Sequence, residues 1–341
     1  MPSPVSIVIP SWNGRHLLER FLPSVFSASN DYIDRSAAAV EIVVVDDGST
    51  DGTAAWLATW TKARVPLRVI RDETNRGFGA ACNHGVDEAS HPLVFLVNND
   101  VEVTPNALSL LAAHFDAGAE SEPLFAVHAR MRDFETGRDV GTGKMGGFGR
   151  GFLRVHRSYV PGNNARGPFW SMFASGGSSM FHRARFLELG GFDPLFAPFY
   201  FEDVELSYRA WKRGFSIMYE PDCAVRHRFS STIAPLAGRS VERISHRNRL
   251  IWHWIHLHDR RYLAAHFVWL TVLVVTAPVT FKFRFLGAFI EAMRVLPAIR
   301  GRRREERARA MRTDREVLAL FANMEVRGDV RAYDDPSDLE G

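Results

Sequence analysis

Leu93-Val94-Phe95-Leu96-Val97-Asn98-Asn99-Asp100 is an apolar run that stops abruptly in two amides and a carboxylate. A continuous apolar run of this length is the pattern of a strand buried on both faces of a parallel sheet. Open α/β sheets bind ligands at the carboxyl ends of their strands. Asn98, Asn99 and Asp100 are therefore expected at a ligand edge. Their oxygens are hard donors of the kind that hold Mg²⁺ or Mn²⁺.

The same design occurs twice upstream. Val5–Pro10 is apolar and runs into Ser11-Trp12-Asn13-Gly14, and Glu41–Asp47 runs into Gly48-Ser49-Thr50-Asp51-Gly52-Thr53. A β-branched strand ends each time in turn-forming residues. Helical patterns follow over Arg15–Phe26 and over Gly52–Thr61, the second with Asp51 placed to cap it. A third unit reads as a strand over Leu67–Ile70, a turn over Asn75–Gly79 and a helix over Ala80–Ser90. Alternating strands and helices give an α/β fold, a mainly parallel sheet flanked by helices. Any one strand-end acid is explained equally well as a turn former. Asp46, Asp47 and Asp100 gathered at one edge repel unless a cation or hydrogen-bond donors lie between them.

With 341 residues, 46% of them hydrophobic and 24% charged, the chain has the composition of a folded globular protein. A net charge of +3, without zinc-finger or RNP-like patterns, gives no argument for nucleic acid. The two cysteines, Cys82 and Cys223, lack metal-ligand spacing and read as buried thiols of a reducing compartment. No secretory leader precedes the first strand, so the expected location is cytoplasmic.

The chain changes character from Val241. Tyr262–Phe281 carries no Asp, Glu, Lys or Arg and approaches the length of a membrane span, but His266 and Pro278 weaken it as one. A single span would put the arginines of Arg300–Arg315 on the far side from a cytoplasmic domain, against the positive-inside tendency. The expectation is helices lying in a membrane interface, peripheral or monotopic at the cytoplasmic face. The competing reading is a buried helical subdomain or a homo-oligomer interface. Expected boundaries are 1–235 for the α/β domain, with a nucleotide-binding half over about 1–115 and an acceptor half over about 116–235. A helical region follows over 236–325, and 326–341 is expected to be a disordered tail.

Eight segments in order carry a resemblance: Val5–Gly14 (VSIVIPSWNG), Val43–Thr53 (VVVDDGSTDGT), Asn75–Gly85 (NRGFGAACNHG), Val97–Asp100 (VNND), Ala174–Met180 (ASGGSSM), Gly190–Asp193 (GGFD), Phe199–Tyr208 (FYFEDVELSY) and His227–Thr232 (HRFSST). Together they resemble family 2 glycosyltransferases, the second half being most similar to the rhamnosyltransferase-like branch. The resemblance implies a GT-A fold, a nucleotide-sugar donor, a divalent metal and inversion at the anomeric carbon.

It also implies roles. Pro10 borders the base, and Asp47, with Asp46 beside it, accepts from a base N–H. Arg76 and Asn83 lie near the ribose and diphosphate, with the Asn75–Gly77 turn offering N–H groups. Asn98-Asn99-Asp100 stands where the family has D-x-D, its first acid replaced by a neutral amide. Asp100 and His227 are the implied metal ligands. Asp203 is the implied base, with Glu202 positioning an acceptor hydroxyl. Gly176, Gly177 and Ser178 lie at the donor sugar and acceptor, with Trp170 and Phe173 as stacking platforms for a sugar. Thr142–Gly167, rich in Gly and Arg, is expected to be an irregular lid over the donor.

The chain contains no glutamine, so it lacks the Q-x-x-R-W motif of processive synthases. Addition of one sugar is expected, rhamnose from dTDP-rhamnose first, with UDP-hexose or UDP-galactofuranose as the alternative. The membrane-seeking end points to a polyprenyl-linked saccharide acceptor of a cell-envelope glycan. A nucleotidyltransferase would need a basic, glycine-rich loop after the first strand, and a dehydrogenase would need G-x-G-x-x-G there; neither is present. A non-catalytic binding or scaffold protein of the same fold is the remaining alternative, favoured only by Asn98.

Overall fold

The computed structural model describes residues 2–60, 64–117, 123–228 and 239–334. The apolar runs become β1 (Val5–Ser11), β2 (Val40–Asp47), β3 (Leu67–Asp72) and β4 (Leu93–Val97), parallel in the order β3-β2-β1-β4. Their residues alternate between two layers. Ile7, Ile9, Ile42, Val44, Phe95 and Val97 pack with Leu18 and Leu22 of α1 (Arg15–Ser36) and Leu108 and Leu111 of α4 (Ala107–Asp116). Val8, Val43, Val45, Val94 and Leu96 pack with Ala81, Cys82 and Val86 of α3 (Phe78–Glu88). Each fully buried aliphatic side chain contributes about 1.5–3 kcal/mol, which is why these strands are apolar throughout.

The second half corrects the expectation of a mainly parallel sheet. The later strands are β5 (Val101–Val103), β6 (Leu124–Asp133), β7 (Asp139–Gly141), β10 (Ser178–His182) and β11 (Ser216–His227). The full order among described residues is β3-β2-β1-β4-β10-β6-β11-β5, with β7 paired to β6. β10 runs antiparallel to both neighbours, β11 is parallel to β6, and β5 is antiparallel to β11. The sheet is mixed because β10, reversed, fills the gap between two parallel sets, and β5 and β7 add antiparallel edges.

Element lengths also differ. α1 continues past Phe26 to Ser36 because Ala28, Ser29 and Tyr32 extend its buried face. α2 is only Thr53–Leu57: the tight turns Trp60 N→Leu57 O and Thr59 N→Trp56 O end it, and Trp60 stacks on Phe26 at 5.0 Å. Asp51 accepts from the backbone N–H of Thr53 at 3.1 Å. Thr142–Gly167 is not an irregular lid. It contains β8 (Gly143–Gly149) and β9 (Phe152–Pro161), a hairpin. β12 (Val330–Tyr333) pairs with β9, so the expected tail is strand there, with Tyr333 buried against Thr142; 335–341 lie outside the described residues. Cys82 and Cys223 are buried and free.

The C-terminal region is helical: α7 (Arg239–His256), α8 (Arg260–Thr276), α9 (Phe283–Arg294), α10 (Leu296–Arg309) and α11 (Asp314–Val326). Leu250, Ile251 and Trp252 of α7 and Phe321 of α11 share one core with Tyr208 and Trp211 of α6 (Glu202–Lys212). Buried Asp314 fastens the two parts: it accepts from Lys212 Nζ at 2.8 Å, Tyr208 Oη at 2.7 Å and the backbone N–H of His258 and Asp259. Burial works to raise its pKa, but Lys212 and these donors hold it below the usual range. Among the described residues no helix is long and apolar enough to cross a membrane. His266 of α8 is buried, its Nδ1 2.8 Å from Gly151 O and its Nε2 accepting from Trp254 Nε1 at 3.1 Å. The outer side of α8 and the chain after it are exposed and apolar, with Val275 68% and Phe281 79% exposed.

Candidate active site

Four strand ends converge on one edge. Pro10 and Ser11 end β1 opposite Val45 and Asp46 of β2, and Asn98, Asn99 and Asp100 follow β4. Asn99 donates to Ser11 Oγ at 2.9 Å, tying the β1 and β4 turns together. Gly14 is required there, since a Cβ would lie 2.2 Å from Asn99 Nδ2. Asn13 joins the β1 and β2 turns: it accepts from Thr50 N–H at 2.8 Å, and its own N–H donates to Ser49 Oγ at 2.8 Å.

Asp46 is fully buried; Ser49 N–H donates to its Oδ1 at 3.0 Å, while Oδ2 has no hydrogen-bond partner. Asp47 is engaged differently from the expectation. Arg76 N–H and Gly77 N–H donate to its two oxygens at 2.8 and 2.9 Å. These turn amides are directed at Asp47 rather than offered to a phosphate. Burial raises the Asp47 pKa against the pull of those two N–H groups. Of the two acids, Asp46 keeps an oxygen without a hydrogen bond, 3.9 Å from Arg71 Nε.

The pairing of β11 with β5 sets His227 opposite Val101. His227 Nε2 consequently lies 3.0 Å from Asp100 Oδ1, both side chains nearly buried. Sequence positions 127 residues apart thus form one donor pair. Ser230–Thr232 of the same segment lie outside the described residues.

The second carboxylate pair begins α6. Tyr200 and Phe201, immediately before it, have φ of 70° and 73°. Left-handed backbone costs a non-glycine residue roughly 1–2 kcal/mol, so this turn is held rather than relaxed. Asn248 of α7 holds it, its amide nitrogen sitting 2.7, 3.0 and 2.8 Å from the carbonyls of Phe196, Phe199 and Tyr200. Arg247 donates to the carbonyls of Leu195 and Ala197. Burial pushes Asp203 up to about 6, countered by the N–H groups of Val204 and Gly176. Burial and the charge of Asp203 push Glu202 up to about 8, and Glu202 Oε2 is shut from solvent without a partner. At neutral pH Asp203 is ionised and Glu202 carries a proton, which separates an acceptor of protons from a donor. One turn further, buried Glu205 binds Arg209 and His256, each at 2.7 Å. Burial alone would raise Glu205; Arg209 and then His256 hold it down at about 2.

Gly176 and Gly177 join the two halves. The backbone N–H of Gly176 lies where it lowers the Asp203 pKa. Gly177 O accepts from Asn98 N–H at 3.1 Å, and a Cβ on Gly177 would stand 2.5 Å from Asn98 Nδ2. Asn98 Oδ1 is buried without a partner. Two adjacent glycines thus face both elements, one the α6 acid Asp203 and the other the turn that follows β4.

Residues 6–190, more than half of the chain, match Glycosyl transferase family 2. The chain belongs to that family. It is 26% identical to N-acetylglucosaminyl-diphospho-decaprenol L-rhamnosyltransferase of Mycobacterium tuberculosis over 63% of this chain and 72% of that protein. It is 32% identical to the succinoglycan biosynthesis protein ExoU of Rhizobium meliloti, over 32% of this chain and 30% of that one. It is 27% identical to a putative polypeptide N-acetylgalactosaminyltransferase 13 of Drosophila melanogaster, over 67% of this chain and 43% of that one. The matches thus span less than half the length of these last two relatives. Among solved structures, S. aureus TarS 1-349 in complex with UDP-GlcNAc has a TM-score of 0.55 at 16% identity, covering 96% of this chain and 92% of that one. GalNAc-T7 with UDP, GalNAc and Mn²⁺ has 0.57 at 19%, covering 76% and 49%. These likenesses establish the fold.

Several expected site residues of this family 2 chain have partners that the sequence did not suggest. Trp170 bridges to Met218 beside β11 and packs edge-on to Trp211 at 6.0 Å, so it is core rather than a sugar platform. Phe173 packs against the same core. Asn83 uses one donor and one acceptor of its amide on the backbone of Phe192, at 2.9 and 2.8 Å, and still lines one cavity with Arg76 and Glu202. Arg76 is exposed and 3.6 Å from Asp72. Asn13, Ser11 and Asn248 did not stand out in the sequence. Asn13-Gly14 after a strand is a recognisable turn signal, whereas Asn248 inside an amphipathic helix carries none.

Proposed function

We propose that this chain transfers one sugar from a nucleoside-diphosphate donor to a hydroxyl of a saccharide acceptor, by one displacement that inverts the anomeric centre. The observation that supports the reading is the Gly176–Gly177 segment, whose first N–H lowers the Asp203 pKa and whose second carbonyl accepts from Asn98 N–H. Asp203 takes the proton of the acceptor hydroxyl as its oxygen bonds to the anomeric carbon. The bond to the nucleoside diphosphate breaks on the opposite face. Glu202, protonated, orients the acceptor by hydrogen bonding. Asp46 and Asp47, at the end of β2 beside the Pro10-Ser11 end of β1, are the acids for a base N–H.

Asp100 and His227 would hold Mg²⁺ or Mn²⁺, the latter present in two of the similar structures. Among the described residues no group of three acids, histidines or cysteines forms a complete cage. Two protein ligands suit an ion completed by phosphate oxygens and water. Bound there, the ion supplies neutralisation of charge on the leaving diphosphate.

Rhamnose from dTDP-rhamnose is the first donor, supported by the mycobacterial rhamnosyltransferase. That relative's name, together with the exposed apolar side of α8, supports a polyprenyl-linked acceptor of a cell-envelope glycan. A peripheral or monotopic place at the cytoplasmic face of the membrane is part of the same proposal. UDP-hexose, galactofuranose included, is the second reading, supported by the UDP-bound structures of similar fold. The test is thermal stabilisation, then transfer, with dTDP-rhamnose and UDP-sugars in Mg²⁺, Mn²⁺ and chelator. The expected result is a metal-dependent rise in midpoint with one donor, and transfer of that sugar. No stabilisation and no transfer with any donor would sink this reading in favour of a scaffold.

The rate should depend on pH in a defined direction. With its carboxyl raised to about 6, Asp203 is a base only above that pH, so kcat/KM should rise as pH rises through about 6 and level off above it. Glu202 is still protonated over that interval, so Glu202→Gln should leave the limb in place. A limb that drops by a unit in that variant would mean that Glu202 is charged.

A further inference from the structure

A second cavity, of about 670 Å³, lies on the far side of α7 from the Asn248 clamp. It is enclosed by the β8–β9 turn, α7, α8 and the start of α9, and no step of the proposed transfer uses it. Its volume is that of a small-molecule site. One wall is cationic: Arg150, Arg154, Arg249 and Lys282 line it, and among the described residues none of the four has a carboxylate partner. Arg249 is half-buried over the Phe152 ring at 4.6 Å. The lining's one acid, Glu242, is paired with Arg284, and His246 beside it is kept neutral by burial. The facing wall is Trp269, Leu273 and the phenylalanines around Lys282. α8, which supplies Trp269 and Leu273, also carries the exposed Val268, Val272 and Val275, with Val279 just after it. The hairpin tip reaches α8 because Gly151, at φ 75°, leaves no side chain there; a Cβ would stand 2.6 Å from Trp269 Cβ.

Cations without carboxylate partners, set beside an exposed apolar helix surface, match one kind of ligand. Guanidinium groups recognise phosphate oxygens, and that surface covers a hydrocarbon chain. We propose that this cavity seats the phosphate or diphosphate head of an isoprenoid-type acceptor lipid, whose chain runs along α8 into the membrane interface. The inference rests on the lipid-linked acceptor proposed above. It assigns the lipid's head to α7, the helix whose Asn248 also holds the turn before Glu202 and Asp203. Positioning of the acceptor and of the base would then share one rigid element.

Farnesyl diphosphate is the probe, titrated calorimetrically into the full chain below its micelle concentration, with inorganic diphosphate and phosphatidylglycerol vesicles as separate arms. Farnesyl diphosphate is expected to bind at least tenfold tighter than inorganic diphosphate. Arg154→Ala with Lys282→Ala should weaken it tenfold or more, and Trp269→Ala should weaken it while sparing inorganic diphosphate. Nucleoside-diphosphate binding, followed in the same variants, should not change, which excludes unfolding and keeps the donor site apart from the lipid site. Equal affinity for the two diphosphates overturns the proposal. So does a double variant that loses vesicle binding but keeps farnesyl diphosphate, because the cations would then serve the membrane surface. Binding is read separately from transfer, so a protein that transfers no sugar yet shows the expected losses supports the cavity and refutes the glycosyl-transfer reading.

Discussion

Asp203→Asn is expected to lower kcat by about 10³-fold while leaving donor binding and the thermal midpoint with donor intact, because general-base catalysis contributes about 10²–10⁴-fold. The amide keeps the shape of the carboxylate and one acceptor oxygen for the N–H groups of Val204 and Gly176. It loses the ability to take a proton from a hydroxyl. The loss should fall on kcat and kcat/KM equally, since the interaction exists only as the new bond forms. Glu202→Gln should cost less, because Glu202 is protonated at neutral pH and the amide still donates a hydrogen bond. Normal turnover by Asp203→Asn would remove Asp203 as the base, and a loss of donor binding would place it on the donor side. Single-turnover transfer alongside equilibrium binding of the nucleoside diphosphate separates these outcomes.

The legible parts of the molecule were those set by local pattern. β1, β2 and β4 are continuous apolar runs because both faces of each are covered, and the polar residues after them lie at the sheet edge by the geometry of parallel strands. The acids of α6 were readable as a site only through the resemblance, since an Asp or Glu in a first turn is otherwise explained by the helix N-terminus. What failed depends on long-range placement. β10 is short and contains two serines, and nothing local says that it reverses direction between β4 and β6. Trp170 looks the same in sequence whether it lines a cleft or packs on Trp211. The glycine- and arginine-rich hairpin reads as a loop because its strands pair on one side with β12, more than 160 residues away in sequence. The role of Asn83 is likewise invisible until the turn at Phe192 is brought against α3.

Asn248→Ala should be the most damaging change at a residue that touches neither donor nor acceptor: kcat about 10²-fold lower, with donor affinity unchanged. Its amide nitrogen sits among the carbonyls of Phe196, Phe199 and Tyr200, all within 3.0 Å. Alanine leaves those acceptors buried and unpaired, at a cost of about 1–3 kcal/mol. That matches the roughly 1–2 kcal/mol per residue stored in the left-handed Tyr200 and Phe201. With the clamp gone, relaxing the turn becomes favourable, and the turn leads directly into Glu202 and Asp203. A shift of about 1 Å in a catalytic group is enough for a 10²-fold loss. The donor-side residues Asp46, Asp100 and His227 stand on β2, β4 and β11, which the turn does not support, so nucleoside-diphosphate binding should survive. A purely structural role would lower stability and leave kcat per folded molecule untouched. The deciding measurements are therefore kcat normalised to folded protein and the pH limb. A displaced Asp203 should lose part of its burial, and the limb should move below about 6, toward the ordinary carboxylate range. An unchanged limb with unchanged kcat would mean that the turn keeps its geometry without Asn248.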